Sequence, residues 1–319
     1  MLILAVESSH DDTSIALVKN HQVIFNYQIS QIDIHAQYGG TIPEIASREH
    51  YHNFYLLLNR VIKDHKTQLD LVDAIVYTSE PGLIGSLQMG KIFAHALSTA
   101  LNKPIYPVNH LDGHIFSVLL TDEEKFQKEK IKYPALALIV SGGHTNLYYL
   151  KSPVEKQLLG QTLDDALGEV FDKVGRTLEL PFPAGPKIDA LFQANQNINH
   201  FPVKFNWPKL KEKHHFSFSG FKTQVVNLVK KDPNLDTTSI AISFQKNVID
   251  YVIQNVKDVI NDYRINTLIL GGGVSANSYL RSEFLKLFNN VLIPKLKYST
   301  DNAAMIGVAY FEQATHKNK

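Results

Sequence analysis

The sequence predicts an α/β protein of two lobes, and two observations support that fold class. Residues 2–18, LILAVESSHDDTSIALV, and residues 135–150, ALALIVSGGHTNLYYL, share one form: an apolar run, a short polar turn and a second apolar run. Each is typical of a β-hairpin with buried strands. Residues 267–277, TLILGGGVSAN, add a strand, three glycines and the start of a helix. We therefore expect two duplicated lobes, each beginning with a hairpin whose turn faces a shared cleft.

The length and one charged stretch suggest where the lobes divide. A chain of 319 residues fits two domains or one duplicated domain of two lobes. The stretch KFQKEKIK, at residues 125–132, lies between the two hairpins and is typical of a link. We therefore predict an N-terminal lobe at residues 1–127 and a C-terminal lobe at residues 128–319.

Composition excludes several classes of protein. No run of about 18 residues is apolar and free of charge, so no membrane span is expected. The apolar start, MLILAVESSHDD, has neither a basic region nor a cleavage site, so no signal peptide is expected either. The chain has no cysteine, which leaves His, Asp and Glu as metal ligands. The expectation is a cytoplasmic protein without a membrane partner.

Charge is balanced overall but not locally. The net charge of +1 excludes a globally basic nucleic-acid binder. Residues 201–230 nevertheless carry six lysines against a single acidic residue, Glu212. The six are Lys204, Lys209, Lys211, Lys213, Lys222 and Lys230. A nucleic-acid contact and a solvated lysine-rich surface both remain open for this stretch.

Three long helices are predicted between the hairpins and the glycine element. They cover Glu44–Lys63, Gly82–Leu101 and Ile240–Tyr263, and the last has apolar residues at helical spacing. The helix after the triple glycine should begin near Ser275, with Ser275 or Asn277 as its N-cap.

The triple glycine at residues 271–273 allows a ligand to approach the backbone, and the following helix N-terminus favours anions. The lysine of a P-loop and the GxGxxG of a dinucleotide site are both absent. Phosphate binding outside those two motifs and tight strand–helix packing remain the alternatives.

Two histidines form a candidate metal pair. His110 and His114 lie four residues apart in VNHLDGHIFS, so on a helix they share one face. Zinc or ferrous iron would need at least one further protein ligand, which a distant carboxylate must supply. A zinc protease would have Glu directly after the first histidine, where this chain has Leu111. A metal pair and two ordinary helix histidines both remain open.

Acidic residues form two further candidate sites. Glu7, Asp11 and Asp12 are expected in the first hairpin turn, where carboxylates beside a phosphate hold Mg²⁺ or orient a water or an amine. A solvated acidic turn is the alternative.

The segment TLDDALGEVFDKV should place Asp164, Asp165, Glu169 and Asp172 on one helix, which PAGP then ends. Asp189 should open a second helix. Asp172 and Asp189 could each accept hydrogen bonds from ribose hydroxyls, and solvated helix carboxylates are the alternative.

From Leu2 to about Tyr310 the motifs, in this order, resemble the bacterial threonylcarbamoyl transferase family (TsaD type, formerly described as O-sialoglycoprotein endopeptidase). ESSHDDTSIAL looks like the family's E-T-S-C-D-E-T opening, and residues 35–50, HAQYGGTIPEIASREH, are similar to its H-x-x-Y-G-G-V-x-P-E-x-A-S-R-x-H block. The other motifs are PGLIGSLQMG, NHLDGH, VSGGHT, DDALGEVFDKV, FSFSGFKT, GGGVSAN and STDNAAMIG.

The resemblance implies the actin/hexokinase/Hsp70-like fold, with two duplicated lobes around a nucleotide cleft. It implies one divalent metal, Fe²⁺ or Zn²⁺, on His110, His114 and Asp301, with Mg²⁺ as a further ion accompanying a nucleotide. Asp11 and Asp12 are the expected catalytic acids. The implied substrate positions are Ile139, Val140, Ser141, Gly142, Gly143, Asp172, Gly185, Asp189 and Asn277.

The chain departs from the family pattern at several positions. His10 and Asp12 replace the usual Cys and Glu of the opening, Glu80 replaces the first Gly of G-P-G, and Ala184 replaces a Gly of P-G-G-P. Asp12 is one methylene shorter than Glu, which changes the reach of that acid. The metal positions do not depart.

The reaction implied by the resemblance is transfer of a threonylcarbamoyl group from threonylcarbamoyl-AMP to the exocyclic amine of the adenosine beside the anticodon, in tRNAs that read A-starting codons. A paralogous scaffold subunit and a small ATPase subunit are the implied partners, together with tRNA. Three rival functions are weighed: a metalloprotease acting on glycoproteins, a non-catalytic scaffold of the same complex, and a small-molecule kinase of the same fold.

Overall fold

The computed structural model describes residues 1–123, 131–195, 203–231 and 236–317. The chain forms two compact units. The first contains Met1–Lys130 and Pro294–Lys319, and the second contains Ile131–Ile293. Most of the predicted link lies outside the described residues.

Each unit begins with three consecutive strands and continues with helices and further strands. The strands are β1 (Leu2–Glu7), β2 (Asp12–Lys19), β3 (Gln22–Ser30), β4 (Ala74–Glu80), β5 (Ile105–Asn109), β6 (Ala135–Val140), β7 (Thr145–Leu150), β8 (Lys156–Gln161), β9 (Thr267–Gly271) and β10 (Val291–Leu292). The helices are α1 (Ile32–Ala36), α2 (Pro43–Leu69), α3 (Ile84–Leu101), α4 (His110–Phe116), α5 (Leu167–Thr177), α6 (Ala184–Ala194), α7 (Ser219–Lys231), α8 (Thr237–Asp262), α9 (Ser278–Leu285) and α10 (Ala303–Lys317).

The first unit is built on a five-stranded sheet in the order β3-β2-β1-β4-β5. β1 and β2 pair antiparallel, with Leu2 opposite Lys19 and Glu7 opposite Ser14, and β4 runs parallel to β1. Alternate residues of β1 face opposite sides of the sheet. Leu4 packs in one core with Phe54 of α2, and α10 packs against β1 and β2. Helices therefore bury both arms of the hairpin, which confirms the first predicted hairpin.

The second unit repeats this arrangement. Its sheet has the order β10-β9-β6-β7-β8, with β6, β7 and β8 antiparallel and β9 parallel to β6. Leu138 of β6 shares a core with Phe171 of α5 and Phe244 of α8. The predicted second hairpin and the duplicated two-unit α/β fold are both confirmed.

Helix predictions are confirmed, with shifted ends. α2, α3 and α8 cover the three predicted helices. α3 begins at Ile84 instead of Gly82 because Leu83 is extended and its N–H donates to the Ser9 carbonyl at 2.8 Å. Asn277 is the N-cap of α9, since its side-chain oxygen accepts from Leu280 N–H. Ser275 instead lies in a short 3₁₀ turn before that cap.

The C-terminal segment lies in the first unit, which differs from the predicted division at 127/128. Residues 303–309 of α10 are buried, and Ala303 N–H donates to Ser14 Oγ of β2 at 3.0 Å. Farther along α10, the Gln313 amide donates to Asp112 of α4 at 2.8 Å. Its apolar face thus completes the core of the first sheet, so only residues up to Ile293 follow the second sheet.

Two expectations about acidic residues were wrong. α5 begins at Leu167, so Asp164 and Asp165 precede it and bind other elements with their carboxylates instead of lying on its surface. α6 begins at Ala184, so Asp189 lies inside that helix. The prolines of PAGP do not end a helix there: they flank and enter the first turn of α6, where backbone N–H groups have no intrahelical partner to lose.

Among the described helices, none combines the length and the apolar character that a membrane span requires.

Candidate functional site

α4 presents both candidate metal histidines on one face. It begins directly after β5, and the Asn109 side chain caps it by accepting from Leu111 N–H at 2.9 Å. The imidazole rings of His110 and His114 lie edge to face, with their centroids 4.7 Å apart. Both side chains are at least 95% buried. The helical spacing predicted from sequence is therefore present, and it places two imidazoles side by side.

Asp301 joins this pair from the far end of the chain. It lies immediately before α10, whose first turn is held to β2 by Ser14 and to β3 by Asn26, which accepts from Ala304 N–H. Asp301 Oδ1 lies 3.1 Å from His114 Nε2 and 3.5 Å from His110 Nε2. One ligand atom from each of the three residues lies within 4.8 Å of the others.

The three residues fit a divalent ion. Both ring nitrogens of His114 are buried, and neither finds a geometrically acceptable hydrogen bond among the described residues. A buried polar atom without a hydrogen bond is costly, and a metal ion would satisfy Nε2. Two imidazoles and one carboxylate form a donor set that suits Zn²⁺ or Fe²⁺ and leaves a position open.

Glu7 supports the pair, a role that sequence reasoning missed by grouping it with the turn carboxylates. It is the fully buried last residue of β1, and its Oε2 lies 3.2 Å from His110 Nδ1. The Thr78 hydroxyl and the Ser9 N–H donate to the same carboxylate. A carboxylate on the outer ring nitrogen fixes the tautomer of a metal-binding histidine, so Nε2 of His110 is free to coordinate. The pairing of β1 with β4, and of β4 with β5, brings Glu7 to α4 at the end of β5, and no local signal shows it.

In the protein without metal, the pKa values of these residues follow from their burial and their close approach to one another. Burial lowers the pKa of His110, but the charges of Asp301 and Glu7 and the hydrogen bond that His110 donates to Glu7 outweigh it and raise the pKa to about 9. Burial opposes ionisation of Asp301, yet the charge of His110 and the contact with His114 hold its pKa well below the usual range. Burial dominates at His114 and lowers its pKa. The site therefore favours a positive charge at its centre, which a divalent cation also supplies.

Asp12 and Asp11 lie at the end of the hairpin turn. Asp12 is the first residue of β2, and its Oδ1 is buried without a hydrogen-bond partner among the described residues. Burial raises its pKa to about 7, with further contributions from the charges of Asp301 and Asp11. Asp11 lies 2.7 Å from His10 Nδ1, and this contact raises the pKa of His10 despite its burial. The turn is thus an ordered set of interacting charges and not only a solvated acidic turn.

The implied substrate positions at residues 139–143 form the second hairpin turn. Ile139 and Val140 end β6 and are fully buried. Ser141 closes the turn, because its N–H donates to the His144 carbonyl and its hydroxyl accepts from His144 N–H. Gly142 and Gly143 are exposed, and a Cβ added to either would meet no atom within 4 Å. Their backbone is therefore open to a ligand.

Asp172 and Gly185 lie together at the start of α6. Asp172 Oδ1 accepts from Ala184 N–H at 2.7 Å, which anchors α6 to α5. Gly185 lies above Phe171, the residue before Asp172. The two sequence-predicted positions are thus neighbours, although Asp172 already holds a backbone group.

A buried glutamine links Asp189 to Asn277. The Gln245 side chain of α8 is fully buried, and it donates to Asp189 Oδ1 at 2.8 Å and accepts from Asn277 Nδ2 at 2.9 Å. Ser278 donates to the same aspartate from its N–H and its hydroxyl. Sequence reasoning missed Gln245, although a glutamine between Phe244 and Val248 of an apolar stripe is a signal that could have found it.

The lysine-rich stretch is exposed as predicted over its described part. Its residues 201 and 202 lie outside the described residues. Lys204, Lys209, Lys211 and Lys213 have exposed side chains, and Lys213 Nζ lies 3.7 Å from Asp262. Lys222 instead pairs with Asp165 at 3.0 Å and ties α7 to the segment before α5. Lys222 is thus held by an ion pair within the unit.

The chain matches a protein family over most of its length. A family model described as TsaD, tRNA N6-adenosine threonylcarbamoyltransferase, matches residues 22–308. A protein of Mycoplasma mobile with the same description is 49% identical over 311 residues, which cover 98% of both chains. One of Mycoplasmopsis agalactiae is 47% identical over 99% of this chain and 100% of its own.

A solved structure supports the fold class. Component A of the (R)-2-hydroxyglutaryl-CoA dehydratase of Acidaminococcus fermentans aligns with a TM-score of 0.57 at 11% identity, over 99% of each chain. The likeness concerns the fold alone, and it agrees with the actin/hexokinase/Hsp70-like architecture expected from the sequence.

Proposed function

The chain belongs to the TsaD family of tRNA N6-adenosine threonylcarbamoyltransferases, and from this premise we propose that it uses threonylcarbamoyl-AMP as donor. It is a transferase that modifies tRNA. The proposed acceptor is the exocyclic amine of the adenosine beside the anticodon, in tRNAs that read A-starting codons. The single observation that supports this proposal best is the buried group of His110, His114 and Asp301.

His110, His114 and Asp301 would hold the divalent metal, with Glu7 fixing the His110 tautomer. When bound, the ion would polarise the carbonyl of the threonylcarbamoyl group as a Lewis acid. The donor is already an activated mixed anhydride, so the protein's remaining contribution is positioning and charge stabilisation. Fe²⁺ and Zn²⁺ both suit the three ligands.

Asp12 is the proposed proton acceptor. The adenosine nitrogen forms a bond to the carbamoyl carbon, the bond from that carbon to the phosphate oxygen breaks, and AMP leaves with the bonding electrons. The amine proton is lost in the same sequence, and a carboxylate with a raised pKa is suited to accept it. Asp11 holds the neighbouring His10, so its role is to order the turn.

The second unit supplies the proposed nucleotide contacts. Gly142 and Gly143 offer open backbone for the AMP phosphate, and Mg²⁺ would accompany a bound nucleotide. The implied substrate positions, Ile139, Val140, Ser141, Asp172, Gly185, Asp189 and Asn277, would surround the rest of the donor.

Partners and location follow from the family in the same way. We propose that the chain acts with tRNA, a paralogous scaffold subunit and a small ATPase subunit, in the cytoplasm and away from membranes. The target base must come from a single-stranded loop, because only there is its edge accessible.

A reconstituted transfer assay tests the proposal. The chain, its two partner subunits, tRNA and threonylcarbamoyl-AMP are incubated, and tRNA nucleosides are analysed by mass spectrometry. The parent should form threonylcarbamoyladenosine, whereas His110→Ala/His114→Ala and Asp301→Ala should lose both the metal and the product. His316→Ala, an exposed histidine of α10, is the matched control and should keep both.

Each alternative gives a different outcome in that assay. If the His110→Ala/His114→Ala variant keeps stoichiometric metal, the two histidines are not the metal ligands. If the chain itself forms no product, but another subunit is active only in its presence, the chain is a scaffold. Cleavage of a glycoprotein would support the protease, although Leu111 occupies the place of its general base. Phosphate transfer to a small molecule without any need for the histidine pair would support a kinase.

A further inference from the structure

The second unit contains a cavity that none of the implied substrate residues lines. Its volume is about 460 Å³, and it lies between the loop of residues 207–215 and the second half of α8. Trp207, Tyr251, Lys213, His214, Asp258 and Asp262 are among the residues that form its walls.

Trp207 offers a fixed aromatic surface at this cavity. It is the only tryptophan of the chain, and its side chain is 42% exposed. The buried ring of Tyr251 supports it from below, edge to face, with centroids 5.8 Å apart. An aromatic ring held in this way can stack with a planar ligand at little entropic cost.

The wall of the cavity and the neighbouring loop carry charges of both signs, with Glu212, Asp258 and Asp262 as the carboxylates of the wall. Exposed lysines precede and follow Trp207 in the chain, at Lys204, Lys209 and Lys211, and Lys213 lies on the wall itself. Asp262 on the wall approaches Lys213 at 3.7 Å and His214 at 3.4 Å. Phosphates would therefore be favoured beside the lysines of the loop and disfavoured beside the carboxylates of the wall.

The polar groups of the wall suit the edge of a nucleobase. Carboxylates accept hydrogen bonds from exocyclic amino groups, and side-chain amides can both donate and accept. Asp258 and Asp262 supply the first kind of group, and Asn261 supplies the second. Aromatic stacking combined with a basic rim is how proteins bind unpaired nucleotides.

We propose that this cavity receives one unstacked nucleobase from a single-stranded segment of the tRNA, stacked on Trp207, while Lys204, Lys209 and Lys211 contact the flanking phosphates. The proposal rests on the proposed function in that the substrate is a tRNA. It adds a site for a second base, apart from the metal group, which lies in the other unit.

Tryptophan fluorescence, excited at wavelengths that tyrosine does not absorb, tests the stacking directly, because Trp207 is the only tryptophan of the chain. An anticodon-loop RNA hairpin is titrated into the full-length protein while binding is followed in parallel by anisotropy of a labelled RNA. Stacking should quench Trp207 with the same midpoint as binding. A blunt double-stranded RNA of the same length should bind more weakly without quenching, since it offers phosphates but no unpaired base.

Substitutions separate stacking from charge. Trp207→Ala should weaken hairpin binding about 5- to 140-fold, the factor expected for one base–aromatic stack, and Trp207→Phe should restore most of it. Lys204→Ala/Lys209→Ala/Lys211→Ala should instead flatten the salt dependence. Saturated hairpin binding without quenching would overturn the proposal. Quenching by an arginine-rich peptide but not by RNA would also overturn it and indicate a protein partner.

The transfer assay distinguishes failure here from failure of the proposed reaction. If RNA quenches Trp207 but the chain transfers no threonylcarbamoyl group, the cavity binds a base and the proposed reaction is rejected. Normal transfer and normal RNA binding in Trp207→Ala would leave the reaction intact and reject the cavity.

Discussion

Asp12 shows how one side chain is adjusted by its surroundings. Burial of its carboxyl group, together with the charges of Asp301 and Asp11, raises its pKa to about 7. A proton acceptor is most effective when its pKa lies near the working pH. The family usually has Glu here, and the chain's shorter side chain loses a reach of roughly one C–C bond, which a bridging water can cover.

Asp12→Asn should lower the turnover of threonylcarbamoyl transfer by about 10²- to 10⁴-fold, because the amide cannot accept a proton. In the parent the rate should fall as the pH drops below about 7, since the protonated carboxyl no longer accepts, and the variant should lose this dependence. A divalent ion beside Asp301 would offset part of that charge and shift the midpoint to lower pH.

Pre-steady-state rates across a pH series, with nucleotide affinity measured separately, check this prediction. Asp12→Glu is the conservative control and should stay active. If Asp12→Asn turns over at the parental rate, Asp12 is only a turn residue, and Asp11 or His10 becomes the next candidate.

Glu7→Gln should weaken metal binding by about 10- to 100-fold, the usual effect of removing a partner that orients a metal-binding histidine. The amide keeps the shape of the side chain but loses the charge that faces His110. Competition titration with a chromogenic chelator measures the affinity. Glu44→Gln, on the exposed start of α2, is the matched control. If Glu7→Gln binds the metal with the parental affinity, Glu7 does not support the metal site and contributes only its hydrogen bonds with Thr78 and Ser9.

At the scale of elements, the triple glycine joins β9 to α9 by a close backbone contact. Gly272 has φ of +87°, and a Cβ there would lie 2.3 Å from the Val140 carbonyl oxygen of β6. A Cβ added at Gly273 would meet no atom within 4 Å. The sequence left phosphate binding and tight packing as alternatives, and at Gly272 the structure shows the packing.

Gly272→Ala should destabilise the protein by about 2–4 kcal/mol, because it combines a forbidden backbone angle with a clash against a fixed carbonyl. Gly273→Ala, its immediate neighbour, should change stability by less than about 1 kcal/mol. Urea denaturation of both variants measures the free energy of unfolding. Equal effects at the two positions would mean that the chain relaxes around residue 272.

At the scale of the whole molecule, the chain returns to its first unit at the end. The Ala303–Ala309 part of α10 is buried there, and the preceding Asp301 approaches the histidines of α4. The second unit is one continuous segment with its own sheet and core. The first unit is therefore built from both ends of the chain, whereas the second unit contains neither end.

A fragment of residues 131–293 should fold alone and melt cooperatively, because its sheet and core are complete within that segment. A fragment of residues 1–130 should be unfolded or aggregated, since it lacks the helix that covers β1 and β2. Joining residues 294–319 to it through a flexible linker should restore folding and metal binding. Circular dichroism melts measure each case, and a stable, cooperative 1–130 fragment would contradict this view.

The sequence by itself determined the local structure. Both hairpins follow from paired apolar runs around a polar turn, and the long helices and the shared face of His110 and His114 follow from helical spacing of about four residues. Asn277 was one of two predicted caps, because a cap depends only on its own turn. No local pattern indicated Asp301; it was implied only by the resemblance to a family.

Tertiary structure alone decided which distant side chains meet. The bond of Glu7 to His110, the bridge of Gln245 between Asp189 and Asn277, the return of α10 to the first sheet and the cavity at Trp207 all join elements far apart in the chain. A period in the sequence says that a residue is buried, but not against what. That choice belongs to the packing of whole elements, in which many weak contacts are satisfied together.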